Sequence, residues 1–354
     1  MISLKEIKES YEHGKNADAP EKSKIEISSK YKDIDAFKNW DEDSFGVFML
    51  FYLYLMLENE NEKLWESFKE EIQHKSHFFP KSELLEKIDN ISEYASIELC
   101  KGTVLYRARE YKYSDYLNNK IMVAVYEKLK ELLPNLRIQK EDFSSESALN
   151  IIMLALSGNV NKIEELQRHI TEIIDEEKPF WGFDESNSDA PPKKCAIAGR
   201  ANSCGISFLY ATTDKKTAIM EMKPQIGQNF NICKIETCKD IRIFDFTYTS
   251  VELKEDEYLK SGDLYVISKE FSQPNFGNAD DYVPTQYLCE YLREKGFDGI
   301  KYKSAVSPDG INLIIFDTNS EDKPYKIVES RVYAVNNINV EFEQILPALF
   351  EDAN

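Results

Sequence analysis

From Ile34 to Ile91 the apolar residues recur at three- and four-residue intervals. Trp40, Phe45, Phe48 and Tyr52 are followed by Leu64-Trp65, Phe68 and Ile72. That period predicts helices. Pro80 interrupts it, and Ser82 is placed as the N-cap of a further helix through Leu84 and Leu85. At Gly102 the texture changes. Residues 102–109 (Gly-Thr-Val-Leu-Tyr-Arg-Ala-Arg) are β-branched and apolar, which predicts a strand after a glycine turn. Residues 124–133 and 147–174 read as helices, and 183–192 as a turn-rich stretch. Strands are expected at 205–212, 229–236, 241–246, 299–302 and 311–316. Helices are expected at 214–222, with Asp214 as N-cap, and at 285–295, ended by Gly296. The pattern is that of an α+β protein. An all-helical N-terminal region, 1–98, precedes a mixed domain of short strands, 99–354. Within the first region, residues 1–35 are polar and read as a loose helix or arm.

Composition narrows the classes. The 354 residues are 42% hydrophobic, enough to build a sizeable core. Asp and Glu total 63 against 44 Lys and Arg, a formal charge of −19, which argues against a nucleic-acid partner. The acidic excess lies in 1–99 and 181–354, whereas 100–180 is nearly balanced. The longest apolar run, 45–57, has 13 residues and falls short of the roughly 20 that span a bilayer. It reads as a core helix or as an interface, including one between copies of the chain. The first nine residues hold no apolar stretch of the secretory kind, so a cytoplasmic protein is expected. The six cysteines form no CxxC pair and the four histidines no ligand pattern, so reduced thiols and no metal are expected.

Four features carry candidate chemistry. Arg107 and Arg109 stand two apart on one strand and share a face, where two guanidiniums call for an anion or for carboxylates. Residues 198–210 place Arg200 and Asn202 between two glycines and run into a strand that ends at Tyr210. Glu221 ends a short apolar helix stopped by Pro224. Ser304 follows a strand and has no histidine near it in sequence, which disfavours a serine nucleophile.

The order of these segments resembles the RES domain, named for its Arg, Glu and Ser. The resemblance rests on Tyr106-Arg107, Gly199-Arg200-Ala201-Asn202 through Gly205 to Tyr210, and Ala218-Ile219-Met220-Glu221. It continues through Tyr302-Lys303-Ser304 and Gly310-Ile311-Asn312-Leu313, and covers about residues 100–320. Ala201 stands where the family frequently has Trp. The N-terminal region is similar to the HEPN-like extension of longer RES proteins, but holds no Arg-x4-6-His motif, so no RNase activity is expected of it.

The resemblance implies an ADP-ribosyltransferase-like fold and the degradation of NAD+, by hydrolysis or phosphorolysis of the nicotinamide–ribose bond. It further implies NAD+ as substrate, no metal, and an antitoxin protein as partner, in a toxin–antitoxin or phage-defence setting. Arg107 would hold the NAD+ phosphates, with Arg109 as the alternative clamp. Arg200 would be a second phosphate ligand or a loop-ordering cation, with Asn202 beside it in the binding loop. Tyr210 would stack on nicotinamide or ribose. Glu221 would bond the ribose hydroxyls and stabilise the oxocarbenium-like charge. Ser304 would position the ribose or nicotinamide side. Transfer of ADP-ribose to a protein and NAD+ binding without cleavage are the rival readings of the same site.

Overall fold

The structure is a computed structural model. It describes residues 62–339 except 77, 136, 138, 142–145, 248–266, 273–278 and 319–321. The apolar run 45–57 and the helical pattern at Trp40 to Tyr52 lie outside the described residues. Residues 62–70 are helical and pass into a π-helical turn, Glu71–Lys75. In chain order there follow α1 (Glu83–Ile91), β1 (Ser96–Leu99), β2 (Val104–Glu110), α2 (Tyr113–Asn118), α3 (Lys120–Leu132), α4 (Glu146–Leu156), α5 (Val160–Glu176) and α6 (Glu185–Ser188). Next come β3 (Leu209–Thr212), α7 (Lys215–Glu221), β4 (Asn229–Thr237), β5 (Ile241–Asp245), α8 (Val283–Glu294), β6 (Gly299–Lys303), β7 (Ile311–Ile315) and β8 (Tyr325–Ala334). The fold is therefore α+β, with helices at the N-terminal end and an eight-stranded sheet in the order β1-β5-β6-β7-β3-β2-β4-β8. No helix among the described residues is long and apolar enough to cross a membrane.

The chain forms two compact units. One gathers 1–97, 198–203 and 244–294, and the other 98–197, 204–243 and 295–354. In the first, the expected period buries Trp65, Phe68 and Ile72 on one face and Leu84, Leu85, Ile88 and Ile91 on another. Ser82 caps α1 by accepting from Leu84 N–H (3.2 Å). Phe68 meets Tyr287 edge to face, and Phe246 stacks on Phe271 at 4.7 Å.

In the second unit β2 pairs with β3 and β4, β3 with β7, β4 with β8 and β6 with β7, all antiparallel. Leu105, Ile235, Leu209, Leu313, Ile314 and Ile315 are buried along these strands. Gly299 shows how close β6 and β7 run: a Cβ there would lie 2.1 Å from the Ile314 carbonyl oxygen. Backbone in the middle of a ladder has no room to give. Gly299→Ala is expected to destabilise the protein by about 1–3 kcal/mol, read as a lowered midpoint in a thermal melt.

Some elements differ from the sequence reading. The strand expected at 205–212 is paired only from Leu209, because Gly205 turns the chain at φ +83°. The helix expected at 147–174 is two, broken at Gly158 (φ +86°). The turn-rich stretch holds one helical turn, Glu185–Ser188, capped by the Asp184 side chain. Strands β1 and β8 were not anticipated.

Candidate functional site

Helix α7 is built at both ends by its own sequence. Asp214 accepts from Thr217 N–H (2.8 Å) and from the Thr217 hydroxyl (2.6 Å), while the Thr212 hydroxyl donates to Asp214 O (2.7 Å). These bonds start the helix directly after β3. Thr217 and Ala218 are buried, and Ala218 packs with Ala108 and Ile232 beside Tyr106, Ile219 and Tyr333. Met222 closes the helix, Lys223 takes a positive φ of 50°, and Pro224 cannot continue it. Glu221 is thereby the last helical residue.

Glu221 is exposed, yet one of its oxygens is held from below. Oε1 accepts from the Ser304 hydroxyl (2.7 Å) and from Asn312 Nδ2 (2.6 Å). Both donors are buried. Asn312 lies on β7. Ser304 begins the β6–β7 loop, whose shape is set by Ser304 N–H donating to Gly310 O (2.8 Å) and Gly310 N–H donating to Ser307 O (2.9 Å). The Ser304 hydroxyl also accepts from Val306 N–H (3.2 Å), which leaves its proton for Glu221. The loop presses on α7: a Cβ on Gly310 would lie 2.7 Å from both Ser307 Cβ and Thr217 Oγ1. Ser304, expected to position the ribose or nicotinamide side, donates to the Glu221 carboxylate.

Arg107 sits where the sheet forks. Strand β2 makes seven register pairs with β4, from Val104↔Glu236 to Glu110↔Phe230, but a single one with β3, Tyr106↔Thr212. Beyond Tyr106 the Tyr210 carbonyl, on β3, accepts from Arg107 Nη1 (3.3 Å). Arg107 Nε is buried with no hydrogen-bond partner, an arrangement that costs about 1–3 kcal/mol. Burial lowers the guanidinium pKa; nearby Cys233 opposes the shift, Arg109 adds to it, and Tyr325 and Asp189 oppose it. Alternation sends Tyr106 and Ala108 toward α7 and Arg107 and Arg109 to the other side. Arg107 and Glu221 form no ion pair with each other.

The other expected residues are placed as follows. Arg109 is exposed, donates to Asn187 O and lies over the Phe183 ring at 5.2 Å. Tyr210 is half-buried, and its register partner is Ile314. Alternation along β3 and β7 puts Tyr210, Thr212 and Asn312 on one face of the sheet. Arg200 and Asn202 belong to the first unit. Arg200 Nη1 donates to Glu270 O (2.8 Å) and its guanidinium lies 5.5 Å from the Tyr282 ring centroid. Thr285 Oγ1 donates to Arg200 O (2.6 Å) and Gln286 Nε2 to Gly199 O (2.7 Å). Asn202 is buried and its Nδ2 donates to Ser203 O (3.1 Å). These contacts order the loop.

Sequence reasoning passed over Asn312 as a site residue. The signal was an amide in an otherwise apolar strand, Ile-Asn-Leu-Ile-Ile, because a buried polar group must find a partner. It also missed Asp189, which accepts from Tyr325 OH (2.6 Å) and Lys323 Nζ (2.6 Å). Burial, then the bond to Asp189, pushes the Tyr325 hydroxyl pKa up.

All six cysteines are free. Burial pushes the Cys233 thiol up to about 11 and raises that of Cys289. Cys100, Cys195 and Cys204 are exposed. Alkylation of the native protein at pH 8 should label those three and spare Cys233 and Cys289, which react only after denaturation; peptide mass spectrometry reads the difference. Among the described residues, Glu98, Cys100 and Asp240 bring three ligand-type atoms within 4.8 Å of one another. They are exposed, and Asp240 already accepts from Lys101 N–H (2.6 Å).

The second unit thus carries a carboxylate fixed at a helix end on one side of the sheet and, on the other side, a guanidinium with a buried N–H unsatisfied. Residues 167–335 match the family model of the RES domain. The matched stretch holds Glu221, Ser304 and Asn312, and Arg107 lies ahead of it. Among solved structures the chain is similar to one titled "Crystal structure of the M. tuberculosis MbcT-MbcA toxin-antitoxin complex". The identity is 12%, the TM-score 0.27, and the likeness covers 41% of this chain and 76% of that one. No curated protein matches.

Proposed function

We propose that the protein cleaves the nicotinamide–ribose bond of NAD+, as a hydrolase or a phosphorylase. The observation that carries this reading is the Glu221 carboxylate, exposed on one side and held through Oε1 by Ser304 and Asn312. Nicotinamide leaves as a neutral molecule from a cationic ring, so the step needs no strong nucleophile. It needs negative charge near the anomeric carbon, where positive charge grows, and an anchor for the diphosphate. Glu221 would supply the first. The resemblance to RES proteins gives the second to Arg107, which leaves β2 on the side away from α7 and has an unused buried N–H to offer an anion. Tyr210 would stack against the flat ring. Arg109 would act beside Arg107, and Arg200 and Asn202 would hold their own loop in shape. No metal enters the scheme. The resemblance to RES proteins supports a toxin or phage-defence effector that depletes NAD+ and is held by an antitoxin protein.

Incubation with NAD+, with and without inorganic phosphate, tests the proposal by chromatography of nicotinamide. Release is expected, and ADP-ribose or its 1″-phosphate as co-product tells water from phosphate as acceptor. Binding of NAD+ without release would overturn cleavage and leave a binding module; a mass shift on a partner protein would mark a transferase.

A further inference from the structure

Both donors on Glu221 reach the same oxygen. Oε1 receives Ser304 and Asn312, and Oε2 has no hydrogen bond among the described residues. The Asn312 side chain is 5% exposed, and its own Oδ1 is buried without a partner. Its orientation is settled by chemistry, because a flipped amide would aim one oxygen at another. The strand therefore keeps an orphaned acceptor in its interior so as to aim an N–H at a carboxylate on the exposed end of α7. An apolar residue of like shape would leave nothing unsatisfied there. Stability alone does not account for an amide at this position.

We infer that Asn312 is a positioning residue, which with Ser304 fixes Glu221 through Oε1 so that Oε2 is the oxygen presented to the ligand. This rests on the reading of Glu221 as the carboxylate that meets the ribose. Asn312 itself touches no substrate. Two donors from separate places, one on β7 and one at the head of the β6–β7 loop, hold the carboxylate in one rotamer. A single donor would leave it free to swing about its bond to the other.

The test uses the full chain with Asn312→Leu, near in shape and without the donor, and Asn312→Ser, too short to reach Oε1. Three readouts are taken: steady-state NAD+ cleavage, the thermal midpoint, and the carbon-13 chemical shift of the Glu221 side-chain carboxyl at one fixed pH. Asn312→Leu is expected to lower kcat at least about tenfold, to change KM less than about threefold, and to melt no lower than wild type. In both variants the carboxyl resonance should move from its wild-type position, because a hydrogen bond to Oε1 is gone. If both variants keep wild-type kcat and an unmoved resonance while wild type cleaves NAD+, the inference is wrong. If kcat falls only in step with a lowered melting temperature, the role is structural and the inference is also wrong. If wild type releases no nicotinamide yet the resonance moves, the positioning stands and the NAD+ reading fails.

Discussion

Glu221→Ala should remove nicotinamide release by about 10²- to 10³-fold while the protein melts as wild type does. The size follows from the charge lost. A carboxylate near the anomeric carbon acts on a cation that exists only in the transition state, so its removal falls on kcat more than on KM. The intact fold follows from position. Glu221 is exposed, ends its helix, and is followed by a cap and Pro224 that stop the helix without it. Ser304 and Asn312 lose an acceptor, and Ser304 keeps the Val306 N–H. Glu221→Gln separates charge from shape: it retains the carbonyl that Ser304 and Asn312 address, so a loss there as large as in Glu221→Ala assigns the effect to charge. Full activity in Glu221→Ala would remove this residue from the mechanism.

Arg107→Ala should act mainly on binding, with kcat/KM for NAD+ down by at least about 10²-fold and Arg109→Ala far milder. The two arginines leave β2 on the same side and differ in what holds them. Arg109 is exposed and engaged by the 183–187 turn through Asn187 O and Phe183. Arg107 is enclosed at the fork, with the Tyr210 carbonyl as its hydrogen-bond partner and Nε unmatched. Arg107→Lys should rescue little, because a point charge cannot replace a planar fork. Steady-state kinetics of the three variants check this. Equal losses from Arg107→Ala and Arg109→Ala would reject Arg107 as the clamp.

Local signals carried much of the fold. Asp214 with Thr217 three positions on marks the start of α7, Pro224 its end, and the positive φ of Gly296 (82°) the end of α8, all from rules that act within a few residues. What local rules miss is pairing at a distance. Strand β8 reads poorly because a shift in its register with β4, between Lys234 and Ile235, breaks the alternation that marks a strand. The fork at Tyr106 is not visible in either strand alone, since it comes from β3 and β2 parting after one register pair. At the site, residue types were legible and their partners were not. Glu221, Ser304 and Arg107 each stood out. That Ser304 reaches Glu221 follows from a loop that folds back onto α7, and that Asn312 does so follows from its register on β7.

The candidate site is also remote from itself along the chain. Tyr106 and Thr212, which close the fork, are 106 residues apart; Glu221 and Ser304 are 83 apart, and Glu221 and Asn312 are 91 apart. A ribosome adds roughly 5–20 residues per second, so the helix that bears Glu221 emerges several seconds before either donor that steadies it. During synthesis the half-made chain carries a carboxylate with nothing beneath it and has no working centre. Fragments released before Asn312 should be inert, and cleavage should begin abruptly once β7 takes its place in the sheet. Under the proposed NAD+ cleavage, that order of assembly would keep the ribosome-bound chain harmless.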